Sequence, residues 1–266
     1  MNIKKSFLIK AIVMLLVFGS LFSGLVGCIS INYDWVNKLS TECMQANFGV
    51  YTTYKNFDFF GNPTSSKMVF GSGVLFLAEV VDGGEPEYYY LLTNNHTVAK
   101  NDEFEQIAYE VKDYKGNTYP AVLIDGLAEY DLAVLKFEAN DEISYTPLPL
   151  ASKNVMNNVR VAALGQPHGQ ANMVTIGRVV GYNEIMSGED VTALSNVLFD
   201  VIYHDAPIDT GSSGGALLNE NCQVVGINFA MTVSKTDDDV AYGCAIPIEK
   251  VREFLEKIEL IGFKRN

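Results

Sequence analysis

A dozen short stretches of β-forming residues, each bounded by turn residues, constrain this chain more than any other feature. The first six cover 48–54, 68–77, 88–93, 107–113, 121–125 and 132–137; the second six cover 159–164, 173–182, 197–203, 215–218, 224–229 and 241–246. Many short strands with regular turn punctuation are the mark of an all-β sandwich or barrel. Between the two sets lies a less regular stretch, 139–158, with Pro147 and Pro149, which reads as a link between two barrels of similar size. Only the ends depart from the strand pattern. Residues 32–45 suggest a short helix, and Val251, Phe254, Leu255, Ile258 and Ile261 recur at helical spacing, so a closing helix should pack on the second barrel. The expected division is 1–27 leader, 28–46 tether and helix, 47–248 main domain, and 249–266 terminal helix.

Composition narrows the partners. A hydrophobic fraction of 48% with 19% charged residues fits an ordinary globular core, and a formal net charge of −13 argues against nucleic acid, whose phosphates need a basic face. The densest acidic run, Asp237-Asp238-Asp239, lacks the oxygen spacing of a calcium loop and reads as a solvated hairpin tip.

The amino terminus reads as an export signal: Lys4 and Lys5, an apolar stretch from Ala11 to Phe18, then small residues. Leu25-Val26-Gly27-Cys28 resembles the bacterial lipobox, in which the cysteine is acylated and becomes the first mature residue. The competing reading, a transmembrane anchor, is weakened by Lys10 and by Gly19, Ser20, Ser23 and Gly24. Lipidation at Cys28 predicts an extracytoplasmic protein held on a membrane by two acyl chains. Three other cysteines remain. Cys222 and Cys244 fall on strands expected to be neighbours, though out of register, so both a bridge and free thiols stay open; no CxxC pair supports zinc.

Three segments carry chemistry. Asp209-Thr210-Gly211-Ser212-Ser213-Gly214-Gly215-Ala216 is a tight glycine-flanked turn around a serine. Glycines permit backbone angles that turn neighbouring N–H groups toward one point, as oxyanion stabilisation requires. Leu91-Leu92-Thr93-Asn94-Asn95-His96 ends an apolar strand on a histidine, and Asp131-Leu132-Ala133-Val134-Leu135-Lys136 sets an acid before a buried strand. Alone, each is an ordinary turn, surface histidine or strand start. Together they run His, Asp, Ser with gaps of 35 and 82 residues, the chain order of one of the convergent triad families.

The stretches Gly71-Ser72-Gly73-Val74-Leu75-Phe76, 92–98, 131–136, Ala163-Leu164-Gly165-Gln166-Pro167-His168-Gly169, 211–216, Val225-Gly226-Ile227-Asn228 and Ala245-Ile246-Pro247 resemble, in order, those of trypsin-like serine peptidases of the HtrA (Deg) type. The resemblance implies a chymotrypsin-like double six-stranded β-barrel with its site in the cleft between the barrels. It implies Ser213 as nucleophile, His96 as general base and acid, and Asp131 as the partner of His96. The N–H groups of Gly211 and Ser213 would form the oxyanion hole. Ser212 stands where family members usually carry Asn. It further implies a pocket based on Ile208 and walled by Met231, apolar and without an acid, suited to Val, Ala or Leu. His204 lies nearer Ser213 in sequence but falls in a strand, and His168 falls in a family turn; both read as structural.

The family usually carries PDZ domains, which the segment after 249 leaves no room for, so none is expected. The expected activity is endopeptidase cleavage of unfolded or extended protein and peptide substrates in quality control or processing, without a cofactor or metal; a homo-oligomer stays open. The competing readings are a catalytically inactive binding or sensor lipoprotein of the same fold, and a surface adhesin or substrate-binding lipoprotein.

Overall fold

The computed structural model describes residues 33–80, 86–139, 143–166, 173–185, 197–233 and 241–260. Cys28, His168 and the Asp237–Asp239 run lie outside them. Helix α1 (Tyr33–Thr41) is followed by a 3₁₀ turn, Cys43–Ala46. The helix stops short of the expected 32–45. Ser40 and Thr41 both donate their hydroxyls back to the Asn37 carbonyl, at 3.0 and 2.7 Å, and such local bonds compete with continued helix.

Twelve strands follow. The first barrel holds β1 (Asn47–Phe57), β2 (Pro63–Val80), β3 (Pro86–Thr93), β4 (Gln106–Lys112), β5 (Thr118–Leu127) and β6 (Leu132–Glu138). The second holds β7 (Arg160–Gly165), β8 (Met173–Asn183), β9 (Val201–His204), β10 (Ala216–Leu218), β11 (Val224–Val233) and β12 (Ala241–Pro247). The first closes in the order β1-β2-β3-β6-β5-β4, and the second repeats the same connectivity as β7-β8-β9-β12-β11-β10. Closure leaves no unpaired sheet edge. Alternation fills each interior: in β1, Phe48, Val50, Thr52 and Tyr54 are all buried. Phe48, Tyr89, Tyr119 and Tyr145 surround Phe137 with ring centroids 5.1–6.2 Å away.

Several strands differ in length from expectation, and two start furthest from the expected residue. β2 begins at Pro63 because Ser65, Ser66 and Lys67 pair with Asn56, Lys55 and Tyr54 in an exposed polar ribbon that carries no apolar signal. β9 begins only at Val201, since Leu198 points to solvent and Phe199 turns aside toward Tyr130, 6.1 Å between ring centroids.

The stretch after β6 stitches the barrels together. Tyr145 plugs the first, its hydroxyl donating to Asp113 Oδ2 at 2.8 Å; Leu148 N–H donates to the Leu75 carbonyl at 2.9 Å, and Ala151 and Pro149 exchange bonds with Val224 at 2.9 and 2.8 Å. Helix α3 (Ile248–Lys257) buries Val251, Phe254 and Leu255 and packs on β11 and β12, while its Arg252 donates to the carbonyls of Leu150 and Ala151. It ends earlier than expected, at Lys257.

Cys222 and Cys244 do not meet. Cys222 sits in the β10–β11 turn with φ +57°, whereas Cys244 is buried on β12 opposite Ala230. Cys222 instead lies within hydrogen-bonding reach of the buried Cys43 thiol, and none of the three forms a disulfide.

Candidate active site

The buried apolar run of β3 ends at Thr93. Asn94 stays extended, and the single helical turn Asn95–Val98, labelled α2, swings His96 to the mouth of the first barrel, half-buried. Asp131 closes the turn before β6 in the left-handed region, φ +50°, which Asp tolerates better than most residues. That conformation aims the carboxylate inward, where it is buried. Both of its oxygens then serve His96. The His96 backbone N–H donates to Oδ1 at 3.0 Å, and ring Nδ1 lies 2.8 Å from Oδ2. With Nδ1–H committed to the carboxylate, Nε2 is left free for the cleft. Asn94 secures the acid from behind, donating Nδ2–H to the Asp131 carbonyl at 2.9 Å.

Ser213 arrives from the other barrel, on the turn that leads into β10. Gly211 (φ +98°) and Gly214 (φ +88°) occupy left-handed angles that a side chain would resist; a Cβ on Gly214 would overlap the Ser72 carbonyl oxygen. Ser212 N–H donates to the Asp209 carbonyl at 2.9 Å, Gly214 N–H to the Asn228 carbonyl at 2.8 Å, and Gly215 N–H to the Ser212 carbonyl at 3.0 Å. The buried Ser212 hydroxyl accepts from Asp209 N–H at 3.2 Å, so this side chain serves the turn. Two N–H groups of the turn, those of Gly211 and Ser213, have no protein acceptor among the described residues. The Ser213 hydroxyl donates to the Phe229 carbonyl at 3.3 Å.

His96, Ser213 and Gly211 line one cleft of about 360 Å³, together with Ile208, Ala230 and Met231. Met231 belongs to β11; Ile208 belongs to the loop after β9. His204 stands elsewhere. It is buried in β9, with Nε2 3.1 Å from Asn228 Oδ1, and burial pushes its ring down to about 4.

Two contributors escaped the sequence reading. Asn94 was visible only as part of a strand ending. Ser72 was visible only as the middle of a Gly-Ser-Gly triplet, yet its hydroxyl donates to the Gly211 carbonyl at 2.7 Å.

The chain is 29% identical over 203 residues to the serine protease PepD of Mycobacterium tuberculosis, covering 72% of this chain and 41% of that protein. It is 33% identical over 190 residues to the serine protease Do-like HtrA of Bacillus subtilis, covering 71% and 39%. It thus spans about two fifths of the length of these relatives. Among solved structures it resembles the HtrA-type protease AlgWS227A with tripeptide, with a TM-score of 0.62 and 27% identity, over 86% of this chain and 64% of that one. The paired six-stranded barrels match the chymotrypsin-like fold of these proteases, and the trypsin-like peptidase domain matches residues 71–227, more than half the chain: the protein belongs to that family.

Proposed function

We propose that this chain is a serine endopeptidase that cuts extended peptide segments by acyl transfer. The observation that carries the reading is the pairing of His96 with both oxygens of Asp131 across a cleft from Ser213, beside two uncommitted N–H groups. In this reading Ser213 Oγ turns from the Phe229 carbonyl toward His96 Nε2, loses its proton there, and attacks the substrate carbonyl. The oxyanion settles on the N–H groups of Gly211 and Ser213, worth about 10²–10³ in rate per donor. His96 then protonates the leaving amine, and water releases the acyl group by the reverse steps. Asp131 keeps the His96 ring in the Nδ1–H tautomer and stabilises the imidazolium.

Ile208, Met231 and Ala230 give the pocket an apolar surface, and the one carboxylate of the cleft, Asp209, is exposed, which supports a preference for small or medium apolar side chains before the cut. Relatives named as periplasmic, such as the pH-dependent serine endoprotease DegQ of Escherichia coli, support an extracytoplasmic setting. The Leu25–Cys28 lipobox supports a lipid anchor there, with 28–46 as tether, 47–248 as the peptidase domain and 249–266 as its closing helix.

One observation favours a non-catalytic binding protein instead: the Ser213 hydroxyl is donated to Phe229 and not to His96. Catalytic hydrogen bonds often form only with substrate in place. A fluorophosphonate probe separates the two readings. Labelling of the wild type but not of Ser213→Ala is expected, and an unlabelled wild type overturns the peptidase reading.

A further inference from the structure

We propose that Ser72 is the positioning residue that holds the oxyanion-hole turn in shape. The inference rests on the peptidase reading of Ser213. Ser72 belongs to β2 of the first barrel, whereas the turn belongs to the second, yet every polar atom of Ser72 is committed at this junction. Its backbone N–H donates to the Ser213 carbonyl at 2.7 Å, and its hydroxyl donates to the Gly211 carbonyl at 2.7 Å. The same hydroxyl accepts from Gln166 N–H, just past β7, at 2.8 Å, and the Ser72 carbonyl accepts from the Thr93 hydroxyl at 2.7 Å. Because the hydroxyl already accepts from an N–H, its single proton is directed to Gly211. The residue is fully buried, so no water can replace these bonds.

The two carbonyls held by Ser72 flank Ser212. They belong to the peptide planes on either side of the Ser212–Ser213 peptide, whose N–H is the Ser213 donor, so holding both limits its direction; the share of the hydroxyl is the Gly211–Ser212 plane. Gly211 itself offers little resistance to rotation, since it lacks a Cβ and sits at φ +98°. Without the Ser72 hydroxyl, that plane keeps only the Ser212 N–H bond to Asp209, and a buried carbonyl and a buried N–H lose their partner. The two oxyanion donors would then sample other directions. A transition state whose charge they stabilise suffers, while ground-state binding in the Ile208 pocket does not.

The test compares wild type with Ser72→Ala, Ser72→Cys and Ser72→Thr. We expect Ser72→Ala to lower kcat by about 10- to 100-fold, the effect of one lost buried hydrogen bond, with KM little changed. A peptide aldehyde, whose hemiacetal oxygen occupies the oxyanion position, should lose affinity by a similar factor. Ser72→Cys, close in volume but a weak donor, should behave the same way and serves if the alanine variant does not fold. Ser72→Thr keeps the hydroxyl and should restore kcat. Unchanged aldehyde affinity, or a loss of kcat that follows a fall in the unfolding midpoint and vanishes on cooling, would make Ser72 a stability residue only and overturn the inference. A wild type that neither cuts peptides nor takes the fluorophosphonate probe overturns the peptidase reading and this inference together.

Discussion

The ring of His204 stands 3.1 Å from Asn228 Oδ1, buried immediately behind the strand that supports the Ser213 turn. Asn228 has its other polar groups committed to the Ser213 turn and β10. Its carbonyl accepts from Gly214 N–H, its N–H donates to the Gly215 carbonyl, and its Nδ2 donates to Ala216. The free Oδ1 therefore takes the proton of His204 Nε2, and the neutral ring fits. Burial disfavours the charged ring more than the Asn228 bond and Asp205 favour it, and holds it at about 4.

A consequence in pH follows. The unfolded chain takes up the His204 proton near the ordinary histidine value of about 6.5, whereas the folded chain resists until about 4. Through that window the unfolded state binds more protons, so stability falls as pH falls. The His204 contribution amounts to about 3 kcal/mol, complete below pH 4. Urea unfolding from pH 7.5 to 4 should show this loss, and His204→Gln should flatten it. Parallel pH curves for the two proteins would rule it out.

Asp131→Asn isolates the carboxylate from the fold. Asn accepts the left-handed angle of this position, so the turn and the unfolding midpoint should hold. The amide would present the wrong partner to His96 Nδ1. A loss in kcat of the order of 10⁴ is expected in a peptide-hydrolysis assay, with little change in KM. A loss below tenfold would remove Asp131 from the chemistry.

Specificity should follow the apolar cleft. Cleavage is expected after Val, Ala or Leu, because a Lys or Arg side chain entering beside Ile208 would lose water against an apolar surface while Asp209 stays exposed, and a Glu would in addition face that carboxylate. An apolar side chain gains about 25 cal/mol per Å² buried. Ile208→Asp should weaken cutting after Val or Leu. Sequencing the products of a peptide library checks this, and a dominant charged residue before the cut would refute the pocket assignment.

Thiol reactivity should divide the cysteines by burial. Burial, helped by the neighbouring Cys222 and by Glu42, pushes the Cys43 thiol well above its ordinary value, so little thiolate exists at pH 8. Brief iodoacetamide treatment of the native protein should modify half-buried Cys222 and spare Cys43 and Cys244 until denaturant is added. Mass spectrometry of the digests reads the outcome, and equal modification of Cys43 and Cys222 would contradict it.

By itself the sequence determined the all-β architecture and the number of strands, because alternation of apolar residues and turn punctuation are local signals of burial and chain reversal. It failed at the polar ribbon of β2, where pairing is held by backbone bonds and no apolar face is needed, and at the start of β9, where Leu198 is exposed. His96, Asp131 and Ser213 could be named because each sits at a strand end or glycine turn with a local signature. That His96 meets both oxygens of Asp131, that Asp131 takes a left-handed angle, and that Cys43 rather than Cys244 neighbours Cys222 were decided by tertiary structure. So was the reach of Ser72 to Gly211, 139 residues along the chain. Such contacts depend on how two barrels close and dock, and serine, which is common in turns and loops, carries no local mark of the partner it will find there.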